Sequence, residues 1–166
     1  TAYACFANGG YRVKPFAIKE IRDREGVVLE SNGPVLEPAL DPIVSMTMLS
    51  ALKDVVLYGT GRPARIEGYE TFGKTGTTNE WSDAWFVGGV PGLVAVVYAG
   101  HDDHKPLGDK ATGGRIAAPV WKEFVSTAVK DLNLPKSFMI KPEYDVEEVT
   151  VCRYSGFLAA PNCPRG

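Results

Sequence analysis

No run of apolar residues in this 166-residue chain approaches the roughly twenty that a membrane-crossing helix needs. The net charge is only −2, so the chain lacks the basic footprint of a nucleic-acid binder. Three cysteines, Cys5, Cys152 and Cys163, are too few for a disulfide scaffold. The sequence has no internal repeat and no low-complexity segment. It opens on Thr1-Ala2-Tyr3 with no basic segment ahead of an apolar one, so no signal peptide is read. It does not open on methionine, and the expectation is a processed chain or a piece of something longer. What remains is ordinary globular composition: 45% hydrophobic and 23% charged residues, in a chain long enough for one domain with a core.

Local pattern predicts the elements. Residues 1–7 read as the end of a helix or turn, stopped by Asn8-Gly9-Gly10. Residues 15–21 and 27–29 read as a hairpin about the turn Asp23-Arg24-Glu25-Gly26, and residues 31–39, with two prolines, as loop. Asp41-Pro42 opens a helix, with Ile43, Met46, Leu49, Leu52 or Lys53, and Val56 at helical spacing and Met46 and Met48 filling the core. Residues 70–77 read as a strand. Residues 84–90 and 93–99 read as a hairpin about Pro91-Gly92, apolar enough to be covered on both faces. Pro119 begins an amphipathic helix with a stripe of Val120, Trp121, Phe124, Val125, Ala128, Val129 and Leu132, ended by Asn133-Leu134-Pro135. This order suits an α+β domain with an antiparallel sheet and flanking helices.

The densest chemistry lies in Thr71-Phe72-Gly73-Lys74-Thr75-Gly76-Thr77-Thr78, which holds a lysine, hydroxyls and glycines suited to an anion. One reading is a phosphate loop, because Gly68 to Thr75 matches G-x-x-x-x-G-K-[ST]. That loop needs a buried strand before it and a helix straight after its lysine. Residues 61–67 and 76–80 supply neither, and Tyr69 and Phe72 are bulky where amides should wrap a phosphate. The other reading is Lys-Thr-Gly on a strand that lines a cleft.

The flanks carry the second reading. Phe6-Ala7-Asn8-Gly9-Gly10, Gly59-Thr60-Gly61-Arg62, Lys74-Thr75-Gly76-Thr77-Thr78, Asp83-Ala84-Trp85-Phe86-Val87-Gly88 and Ala117-Ala118-Pro119-Val120-Trp121 stand in order along the chain. Together they resemble the C-terminal half of the transpeptidase domain of class A (bifunctional) penicillin-binding proteins, over residues 1–132. The resemblance implies residues 1–135 as part of that domain and residues 136–166 as a loop-rich tail. It implies a partial penicillin-binding-protein transpeptidase, β-lactamase-like fold whose Lys-Thr-Gly strand borders the active site. It implies a D-alanyl-D-alanine transpeptidase working by serine acyl transfer on peptidoglycan stem peptides, with β-lactams as acylating inhibitors and no cofactor. The parent would also carry a glycosyltransferase domain and would work on the outer face of the bacterial cytoplasmic membrane, tethered through an N-terminus absent here.

Each motif residue has an implied task. Lys74 brings positive charge to the reacting groups and to the substrate carboxylate. Thr75 and Thr77 donate hydroxyl hydrogen bonds to that carboxylate, and the Thr77 amide faces the developing oxyanion. Gly76 lets the substrate backbone lie against the strand, and Thr78 extends the polar row. The family also uses Ser-x-x-Lys, which carries the nucleophile, and Ser-x-Asn. No Ser-x-Asn occurs in this chain, and the single Ser-x-x-Lys, Ser50 to Lys53, lies on the helix before Gly59 and reads as coincidence. The expectation is therefore a wall of the site without its nucleophile, with the missing N-terminal half of the domain as partner. A non-catalytic pedestal and a nucleotide-binding module built on Gly68 to Thr75 stand as alternatives. Cys152 and Cys163 form a possible disulfide if the protein works outside the cytoplasm. His101-Asp102-Asp103-His104 reads as a solvated loop rather than a metal site, because consecutive ligands rarely converge on one ion.

Overall fold

The computed structural model describes residues 1–139, 147, 149–152, 154–161 and 163. Two short antiparallel ribbons and a three-stranded antiparallel sheet are packed with three α-helices. The chain runs α1 (Ala2–Ala7), β1 (Tyr11–Lys14), β2 (Glu20–Arg22), β3 (Val28–Ser31), β4 (Val35–Pro38), α2 (Pro42–Leu57), β5 (Phe72–Thr77), β6 (Asp83–Val90), β7 (Leu93–Gly100) and α3 (Ala117–Asp131).

The main sheet has the order β5-β6-β7. Pro91-Gly92 turns β6 into β7 with Gly92 at φ +85°. Register places Phe86 and Val97 on one face and Trp85 and Tyr98 on the other. The first face is covered by α3. Trp121, fully buried, meets Phe86 edge-on at 5.1 Å, and its indole N–H donates to the Ala95 carbonyl at 3.1 Å. Val90, Val125 and Val129 complete that core. The second face is covered only at its β5 end, where Phe72 packs on Leu49 and Leu52 of α2. Trp85, Val96 and Tyr98 stay exposed, so the expectation of cover on both faces is corrected. The apolar stripe of α3 is also narrower than its sequence implies. The helix starts two residues earlier, at Ala117, and Val120, Phe124 and Leu132 point outward.

The helix α2 opens as its residues require. The Asp41 carboxylate accepts from the amides of Ile43 and Val44, and Pro42 stands where no donor is needed. Its inner face holds Ser45, Leu49, Leu52 and Val56, while Ile43 and Met48 are exposed, so Met48 is no core filler. Ser45 is buried because its hydroxyl reaches the Cys5 and Phe6 carbonyls of α1, at 3.1 and 3.2 Å.

The first ribbons differ from the expected pattern. The turn at residues 23–27 does join two strands, but β2 begins only at Glu20. Residues 31–39 are not all loop, because β4 pairs with β1 in the register Tyr11↔Pro38 to Lys14↔Val35. Pro38 is tolerated at the strand's end, where a missing N–H costs least. The Gly10 carbonyl accepts from Ala39 and Leu40, which locks the two segments together.

Candidate active site

The stretch Thr71 to Thr78 is a buried hinge, a strand and a turn. Thr71 is buried, and its hydroxyl accepts from the Ile66 amide and donates to the Tyr69 carbonyl. The chain then extends through Phe72–Thr77, paired with β6 from Phe72↔Gly89 to Thr77↔Ala84. A phosphate loop would wrap its amides round an anion and pass into a helix after Lys74. Here Lys74 and Thr75 are inside a strand, and Asn79–Trp81 after it is a turn with Glu80 and Trp81 at φ +62° and +55°, not a helix start. The geometry of a nucleotide loop at Gly68 to Thr75 is therefore absent.

Glycine sets how tightly this strand is held. A Cβ on Gly73 would lie 2.5 Å from the Phe86 ring and 2.9 Å from the Val87 carbonyl. On its far side β5 pairs with no other strand among the described residues, so the Lys-Thr-Gly segment forms the sheet's open edge.

The strand splits its side chains. Lys74 and Gly76 share the face of Val87 and Trp85, while Thr75 and Thr77 share that of Phe86 and Ala84. The Lys74 ammonium is exposed and donates to the Thr75 carbonyl at 2.8 Å. The Thr75 hydroxyl is 2.7 Å from that of Thr60. The Thr77 hydroxyl accepts from the Gly113 amide at 3.0 Å. Thr78 serves the turn instead: its hydroxyl accepts from the Asp83 amide at 2.8 Å and meets Ser82 at 2.9 Å. It can extend the polar row only by releasing those partners.

Two contributors carried no assigned role from sequence. Gly59-Thr60-Gly61 wraps the end of α2, where the Gly59 and Gly61 amides donate to the Val55 carbonyl at 3.1 and 3.0 Å. That wrapping presents Thr60 to β5. Gly113 precedes α3, and its carbonyl accepts from Ala117 and Ala118 at 3.0 and 2.9 Å. The sequence signal for the second was a glycine pair, Gly113-Gly114, directly before a helix start.

Ser50 and Lys53 do not make a second centre. Ser50 is exposed on α2, and the Lys53 ammonium is 2.5 Å from the Glu70 carboxylate. Glu70 also accepts from the Phe138 amide at 2.7 Å. Its partial burial works to raise the carboxyl pKa, but the hydrogen bonds from Lys53 and Phe138 and the Lys53 charge leave it lowered. In the loop at His101, Asp103 pairs with Lys105. Cys152 and Cys163 are free thiols that share a hydrogen bond, so the structure brings the pair together without joining it. Clefts of about 460 and 310 Å³ lie beside Pro91-Gly92 and beside Glu70, and neither is lined by Lys74 to Thr78.

Comparison with known proteins gives a consistent result. Residues 1–126 match the family model of the penicillin binding protein transpeptidase domain. Penicillin-binding protein 1A of Aquifex aeolicus is 41% identical over 139 residues, which is 81% of this chain and 19% of that protein. Penicillin-binding protein 1A of Neisseria lactamica is 43% identical over 135 residues, 78% of this chain and 17% of that protein. Among solved structures, penicillin-binding protein 1A from Haemophilus influenzae superposes with a TM-score of 0.82 at 27% identity, covering 99% of this chain and 30% of that one. The chain thus spans about a fifth of the length of the curated relatives it matches.

Proposed function

The chain belongs to the penicillin-binding protein transpeptidase family, and we propose that it supplies the Lys-Thr-Gly wall of a D-alanyl-D-alanine transpeptidase active site. The nucleophile lies in sequence not present here. In the proposed reaction a serine oxygen attacks the carbonyl between two D-alanines of a peptidoglycan stem. The serine proton goes to the departing amine, D-alanine leaves, and an ester remains on the enzyme. An amine of a neighbouring stem then displaces the serine and forms the cross-link. A β-lactam acylates the same serine by opening its ring.

The observation that carries this reading is the open edge of β5, where Lys74 and Gly76 on one face and Thr75 and Thr77 on the other flank a free strand border. An extended peptide can lie along such a border by backbone pairing. Lys74 supplies the charge that favours ionised groups near the serine and the terminal carboxylate. Thr75 and Thr77 donate to that carboxylate, and the Thr77 amide stabilises the oxyanion. Gly76 keeps the border clear of side chains.

The missing N-terminal half of the domain would cover the bare Trp85–Tyr98 face of the sheet. The parent would be a cell-wall enzyme held at the outer face of the cytoplasmic membrane. No helix among the described residues is long and apolar enough to cross a membrane. Labelled penicillin on the full-length protein tests the reading: it should label, and Lys74→Ala should cut labelling at least about a hundredfold, as loss of a preorganised charged donor does. A parent that resists labelling would favour the non-catalytic pedestal.

A further inference from the structure

We propose that Thr60 and the Gly113-Gly114 turn are positioning elements that set which way the Thr75 and Thr77 hydroxyls donate, and so tune the site to an anionic, carboxylate-bearing ligand. The proposal rests on the reading of β5 as a transpeptidase wall and adds residues outside that motif.

The reasoning follows the protons. A threonine hydroxyl has one proton to give and lone pairs to receive. The Gly113 amide can only donate, and it donates to Thr77. The Thr77 hydroxyl is thereby filled as an acceptor from the inside, and its own proton is left to face outward. Thr75 is arranged alike. Its partner is the exposed Thr60 hydroxyl at 2.7 Å, where either oxygen can be the donor. When an anion arrives at Thr75 it accepts the Thr75 proton, so Thr60 must become the donor. Two hydroxyls then point the same way, and such chains strengthen one another.

The two supports are one junction. A Cβ on Gly114 would lie 2.7 Å from the Thr60 carbonyl and 3.7 Å from the Thr75 methyl. A Cβ on Gly113 would lie 2.2 Å from the Trp85 carbonyl and 2.5 Å from the Gly76 carbonyl. The turn therefore passes so close to β5 and β6 that only glycine fits at residue 113. Because the Gly113 carbonyl also holds the first amides of α3, the helix start, the turn and the Thr77 hydroxyl are fixed together. Thr60 is fixed in the same way by the wrapped end of α2.

The test uses the full-length protein and two acylating probes, a β-lactam with a free carboxylate and its neutral ester. Thr60→Val keeps the shape of Thr60 and deletes its donor. The expected result is a fall of about fivefold or more in the second-order acylation rate with the acid, the size of one lost hydrogen bond, and less than about twofold with the ester. Thr60→Ser should restore the acid-to-ester ratio. An equal loss on both probes, or no loss on the acid, overturns the proposal. A wild-type protein acylated by neither probe would instead overturn the transpeptidase reading itself. Gly113→Ala is a second, disruptive variant. Its Cβ has no room beside the Trp85 and Gly76 carbonyls, so it should lower the melting temperature and, in the folded protein that remains, the acid-to-ester ratio; an unchanged ratio would remove the turn from the proposal.

Discussion

Lys74 is held by the carbonyl of its neighbour rather than by an acid, so its charge is uncommitted among the described residues. That is the state a charged group needs if it is to meet an incoming anion. A different titration belongs to Cys152. Its thiol is lowered to about 6, first by the Ser155 hydroxyl and next by Cys163, with the Ser155 and Tyr154 amides adding to both. The Cys163 thiol is raised, because it is the donor in the pair. A folded value below the ordinary one near 8.5 stabilises the turn fully above that value, and the stabilisation fades as pH falls through about 6. We further propose that the two thiols close to a disulfide when a small-molecule disulfide takes up their electrons. Non-reduced mapping that finds both alkylated after such treatment would refute the bridge.

The elements differ in how far sequence revealed them. The motif strand, the Pro91-Gly92 hairpin and the capped start of α2 were legible because each is written in local chemistry. The pairing of β1 with β4 was not. All the residues of β4 are exposed, so burial imposes no alternation on them, and the partner lies across two other strands. The Thr60–Thr75 and Gly113–Thr77 contacts were hidden for a related reason: hydrogen bonds between distant segments leave no period in the sequence. The outward side of α3 misled because apolar residues there are spaced as if for a core that the described residues do not supply. Where α3 does pack, it should matter greatly. Trp121→Ala should destabilise the full-length protein by about 3–5 kcal/mol, measured by denaturant unfolding.

At the start of β5, Glu70 ties α2 through Lys53 to the segment at Lys136 and Phe138. Its carboxyl is lowered, so the tie is complete above the ordinary value near 4.3 and weakens as pH falls below it. We predict that Glu70→Gln speeds amide exchange at Phe138 at neutral pH, and that wild type approaches the variant only in acid. Equal exchange in both at pH 7 would show that the tie carries nothing.

Taken whole, the molecule presents a finished core on one side of its sheet and bare apolar surface on the other. Trp85, Val96 and Tyr98 are 39, 57 and 48% exposed, on a sheet whose β7 edge is also unpaired among the described residues. Surface of that kind marks an interface, and an open edge invites unwanted pairing. Both fit a chain that spans 30% of the Haemophilus influenzae structure it superposes on. We predict that this chain alone self-associates at micromolar concentration in sedimentation velocity, and that the full-length protein buries the Trp85 face.

The most direct measurement is intact mass after incubation with a penicillin, on this chain and on the full-length protein side by side. We predict an adduct on the full-length protein and none on this chain, because the proposed reading puts the Lys-Thr-Gly wall here and the nucleophile elsewhere. An adduct on this chain itself would contradict the half-site, and Ser50 would be the first residue to replace.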